Sequence, residues 1–121
     1  MSGATESYFS TEEVGSVTVV RVEAHEIRHP PFAQEFGGQL MGLVERAAEP
    51  RILVDLRQTR YLSSTGFAAL VSLARAVTTK GGRLGLCNLH QDVQVGASII
   101  GLNRVAAIYD DEASALDSLS A

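Results

Sequence analysis

The chain has 121 residues, 45% hydrophobic and 20% charged, with 10 basic and 14 acidic side chains and a formal charge of −4. That length suits one domain with a real core, and no apolar run approaches the ~20 residues that a membrane helix needs. The single cysteine, Cys87, cannot close an internal disulfide, the acidic balance speaks against a binder held by nucleic-acid phosphates, and the start lacks the basic-then-apolar pattern of a secretory leader. A cytoplasmic location is the expectation.

Residues 1–7 are small and polar and read as a flexible tail, with one domain over residues 8–121. Tyr8–Glu12 reads as a short strand and Val14-Gly15-Ser16 as a turn. Val17–Glu23, rich in β-branched residues, is the second arm of a hairpin. Pro30-Pro31 punctuates the chain. A helix is predicted from Pro31 or Phe32 to Ala48, with Phe32, Phe36, Leu40 and Leu43/Val44 on one stripe. Gly37, Gly38 and Gly42 weaken that helix and are compatible with close packing on a sheet. Arg51–Leu56 reads as a buried strand, Arg57–Leu62 as a loop, and Ser64–Lys80 as a helix. Phe67, Leu70, Val71, Ala74 and Val77 form that helix's apolar face, with Leu73 at its edge. Gly81-Gly82 stops it. A strand over Arg83–Leu89 follows, then a short helix over Val93–Leu102 carrying Val95, Ile99 and Ile100. A strand over Val105–Tyr109 and a helix over Asp111–Ser120 end the chain. The order ββαβαβαβα implies right-handed crossovers and an α/β fold with a mostly parallel sheet of about five strands.

Several motifs lead nowhere. His25-Glu26-Ile27-Arg28-His29 matches the zinc-protease pattern, but that chemistry needs both histidines one helical turn apart. Here the run follows a strand and meets two prolines, and in extended chain its ends lie about 13 Å apart. No metal site is expected. Gly81-Gly82-Arg83-Leu84-Gly85 lacks the spacing of a nucleotide loop, no Gly-x-Ser-x-Gly elbow is present, and Cys87 lies in an apolar strand without an activating neighbour. A catalytic reading would need Ser64 as nucleophile with a base supplied from elsewhere in the fold.

The informative stretch is Ile52–Leu70. A buried strand ends at Asp55-Leu56, a loop follows, and Leu62-Ser63-Ser64-Thr65-Gly66 opens a helix. Ser63 suits an N-cap, Ser64 and Thr65 fall in the first turn, and Gly66 lets another surface approach closely. The hydroxyls admit two readings. One is ordinary capping. The other is a place to carry a phosphate, which the helix dipole and free N–H groups stabilise.

This segment resembles the signature of STAS domains, specifically bacterial anti-sigma factor antagonists. Their hydrophobic strand ends in Asp-Leu and their next helix opens on a Ser-Ser/Thr-Gly-like run. The counterparts are Val54-Asp55-Leu56 and Leu62–Phe67. Lys80-Gly81-Gly82-Arg83-Leu84, Ile100–Val105 and Tyr109–Ala113 extend the likeness in family-like order. Two positions depart from it. Ser63 stands where the family has Asp, and Arg28 replaces the Asp of the turn after the second strand, while Glu26 keeps that turn's Glu.

The resemblance implies a STAS fold with four helices packed mainly on one side, and a non-catalytic signalling module without cofactors. Its partners would be a serine kinase that is also an anti-sigma factor, and a cognate phosphatase. Ser64 would be the phosphoacceptor, with Thr65 the less favoured neighbour. Arg60, Tyr61, Ser63, Thr65, Gly66 and Phe67 would form the partner surface, and Asp55 and Gly82 would be structural. A monomer or weak homodimer is expected. The alternative is a STAS module that senses a nucleotide or lipid, or that scaffolds a larger signalling complex.

Overall fold

In the computed structural model, which describes residues 8–28 and 30–120, five strands form one sheet in the order β1-β2-β4-β6-β7. Strands β1 (Phe9–Val14) and β2 (Val17–Val22) make the antiparallel hairpin, turned at Gly15 with φ +61°. Strand β4 (Arg51–Asp55) joins β2 in parallel, then β6 (Arg83–Cys87) and β7 (Ala107–Tyr109) follow in the same sense. The expected tail, His29 and Ala121 lie outside the described residues.

Period-two alternation sorts the strand residues into two cores. Val20, Val22, Ile52, Val54, Leu84 and Leu86 face three helices: α1 (Pro30–Glu45), α2 (Ser64–Thr79) and α3 (Gln91–Ile100). Val19, Leu53 and Cys87 face the opposite way and meet Ala115 and Leu119 of α4 (Glu112–Leu119). This is the mixed, mostly parallel architecture expected, with three of the four helices on one face.

The differences are local. Helix α1 ends at Glu45 rather than Ala48, and of its glycines only Gly37 marks a close approach. That approach is to Ala69 of α2, not to the sheet. On α2, Leu73 belongs to the buried face and Val71 to its edge. The segments read as a turn and a loop each contribute a two-residue strand, β3 (Glu26–Ile27) and β5 (Tyr61–Leu62), which pair in parallel. Burial of Ile27 and Leu62 holds this small sheet to the main core. The His25–Arg28 run is therefore extended or bent, not helical. Among the described residues no group of three or more His, Cys, Asp or Glu is placed to hold a metal, and no helix is long and apolar enough to cross a membrane.

Candidate functional site

The site lies where β4 ends and α2 begins. Asp55 closes β4 as a buried carboxylate. Its Oδ1 accepts from the Arg57 backbone N–H at 2.9 Å and from Asn88 Nδ2 at 3.2 Å, so it turns the chain out of the sheet and ties the loop to the end of β6. Asn88 adopts φ +58°, a left-handed conformation that Asn tolerates better than most residues. His90 Nε2 lies 2.7 Å from the Arg57 carbonyl, a contact that puts the ring proton on Nε2.

The loop then runs beside the segment after β2. Fully buried Thr59 donates its hydroxyl to the Ala24 carbonyl at 2.9 Å. The backbone N–H groups of Arg60 and Ser63 donate to His25 and Ile27 carbonyls, each at 2.8 Å. These bonds fix the approach to α2 before the helix starts. Sequence reasoning missed Thr59, Asn88 and His90 as positioning residues, because each acts on a carbonyl or carboxylate far along the chain.

Ser63 has extended backbone and is the N-cap: its Oγ accepts from the Gly66 N–H at 3.2 Å. That hydroxyl is half-buried and already engaged. Ser64, next along, is exposed on the first turn, and Thr65 is half-buried beside a groove between α1 and α2. Gly66 and Phe67 turn inward. A Cβ at Gly66 would stand 2.7 Å from Leu62 Cδ1, so the close neighbour is this chain's own β5 rather than another molecule. The Phe67 ring packs on Gly96 of α3. Both residues therefore serve the seating of α2. Gly82, at the other end, has Pro50 in the way: an added Cβ would lie 2.0 Å from the Pro50 carbonyl oxygen, which accepts from the Arg83 N–H.

Arg60 and the β3–β5 pair lead directly into the turn that carries Ser64. Arg28 lies over the Tyr61 ring, 4.4 Å from guanidinium carbon to ring centroid, and its Nε bonds Glu26 at 2.7 Å. The hydrogen bond from Arg28 lowers the Glu26 carboxyl below its ordinary value, and Glu26 in turn raises Arg28. Arg60 is exposed and makes no ion pair or side-chain hydrogen bond with another described residue. The departure at Arg28 thus brings a cation and an aromatic ring to the edge of the serine turn. Cys87 lies on the other core. Burial first, then Asp55, pushes its thiol up to about 12, the opposite of activation.

Comparison with known proteins agrees with this architecture. Residues 8–115 match the model of the STAS domain family. The anti-sigma F factor antagonist of Paenibacillus polymyxa is 25% identical over 81 residues, covering 67% of this chain and 69% of that protein. A solved anti-sigma factor antagonist from Mycobacterium paratuberculosis superposes with a TM-score of 0.81 at 20% identity, over 93% of each chain. The phosphorylated form of the Bacillus cell fate determinant SpoIIAA gives 0.69 at 19% identity, over 91% of this chain and 97% of that one. At such identities the two structures speak for the fold.

Proposed function

The chain belongs to the STAS domain family, a family of non-catalytic regulatory domains, and on that basis we propose that it is an antagonist of a serine-kinase anti-sigma factor, switched by phosphorylation at Ser64 and reset by a phosphatase. The observation that carries this reading is the division of labour at the start of α2. Of three consecutive hydroxyls, Ser63 is engaged as the cap and Thr65 is half-buried. Ser64 alone is both exposed and free of structural duty. A Bacillus relative of the same fold is known in a phosphorylated form.

The physics of the switch follows from position. A phosphate on Ser64 sits at the positive end of the α2 dipole, so the folded domain accommodates it. In a packed interface the same group brings about −1.5 to −2 charges, whose desolvation costs several kcal/mol if unpaired. A loss of about 2.8 kcal/mol already weakens binding a hundredfold. Arg60 and the Arg28–Tyr61 pair lie on the face that a kinase meets when it reaches Ser64. Incubation with the candidate kinase and ATP, followed by mass-spectrometric mapping, is expected to place the phosphate on Ser64. Phosphate found only on Thr65, or on neither residue, contradicts the reading.

A further inference from the structure

Helix α3 carries aliphatic side chains on two faces. Val93 and Ala97 turn inward and are buried. Val95 and Ile99, one turn apart on another face, are 52% and 83% exposed, and Ile100 and Val105 beyond them are 43% and 38% exposed. A helix that is apolar on more than one side is normally covered on more than one side.

One flank of this region is basic, on a chain whose net charge is negative. The acidic groups near α3 lie on its other flank: Asp92 is in its first turn, and Asp110 lines a separate groove with Gln94 and Ser98. Arg75 and Arg104 line an open groove of about 450 Å³ with Thr78, Thr79 and Val105, between the second half of α2 and the 3-10 turn Leu102–Arg104. Neither arginine makes an ion pair or side-chain hydrogen bond with another described residue.

We propose that the exposed side of α3 and this groove form a second docking surface, for an amphipathic helix of a protein partner whose polar edge carries carboxylates. The aliphatic stripe supplies an apolar centre, and the two arginines supply a rim that fixes orientation and speeds encounter. A free anion would occupy the arginines and leave Ile99 bare. A flat bilayer would leave the groove empty. The inference does not depend on the Ser64 switch. Arg75 is eleven residues along α2 from Ser64, about 16 Å at 1.5 Å per residue, beyond the ~8–10 Å over which exposed charges act at physiological salt.

The chain has no tryptophan, so a Trp-bearing peptide reports binding without background. The probe is a synthetic helical peptide with leucines on one face and glutamates on the other, read by Trp anisotropy against the full chain. A version with lysines for the glutamates is the comparison. The expected result is saturable binding of the glutamate peptide, at least about tenfold tighter than the lysine version. Ile99→Asn and the double change Arg75→Glu/Arg104→Glu each weaken it at least about tenfold. Ser64→Asp leaves it within about twofold, whether or not Ser64 proves to be a phosphoacceptor. All these positions are exposed, and circular dichroism checks that each variant is folded. No binding, or equal binding of the two peptides, overturns the proposal. So does competition by inorganic phosphate alone, sedimentation with phosphatidylserine vesicles in preference to the peptide, or self-association that Ile99→Asn abolishes.

Discussion

Ser63 and Ser64 are the same residue type in adjacent positions, with opposite employments. The Ser63 hydroxyl satisfies one of the donors that every helix start leaves open. Ser63→Ala is expected to lose about 1 kcal/mol, read as a lower urea midpoint with unchanged slope, and Ser64→Ala to stay within about 0.5 kcal/mol. Equal midpoints for both would deny the cap its weight. The cap was legible in the sequence because capping is local. Gly82 was legible only as a helix stop. Its reason is the Pro50 carbonyl, more than thirty residues back, which leaves no room for a Cβ. Gly82→Ala is therefore expected to cost about 1–3 kcal/mol, because the atom in the way is backbone and cannot swing aside. Phe67 and Gly66 belong to the same lesson. Their place in the serine motif suggests a contact surface, and tertiary packing turns both inward.

Among the elements, α3 shows where periodicity runs out. Val93/Ala97 and Val95/Ile99 are both spaced four apart, so the sequence offers two apolar phases and cannot choose between them. The choice falls to Gly96, which lets the Phe67 ring approach and so turns the 93/97 face inward. An added Cβ there would lie 2.7 Å from the Phe67 ring. Gly96→Ala is expected to lower the thermal midpoint clearly, while Val95→Asn, on the exposed face, leaves it nearly unchanged. A larger loss for Val95→Asn than for Gly96→Ala would mean that α3 sits in the other phase. The β3–β5 pair was out of reach for a different reason. Two-residue strands are too short to alternate, and their pairing depends on Ile27 and Leu62 meeting across the chain.

At the scale of the molecule, alternation in β2, β4 and β6 sets the two-sided core, and this much could be read from the strands alone. How α4 is fastened to the second face could not. Arg21 of β2 pairs with Glu112 at 2.6 Å and with Glu12 at 2.6 Å, and these hydrogen bonds raise its pKa. Asp111 caps α4 by accepting from the Ser114 N–H at 2.8 Å, which lowers its carboxyl below the ordinary aspartate value. A carboxyl lowered by folding stabilises the native state fully above its unfolded pKa and loses that contribution as pH falls through its folded one. Stability is therefore expected to decline below about pH 4 more steeply in the native chain than in Asp111→Asn, as denaturant midpoints across that range would show. Parallel declines would show that the Asp111 cap does not contribute to the acid dependence. The switch at Ser64 is read out by the affinity of the kinase for three forms of the chain. The unmodified chain and Ser64→Ala are expected to bind alike, and the phosphorylated chain about a hundredfold more weakly. Equal affinity for all three forms would contradict the switch.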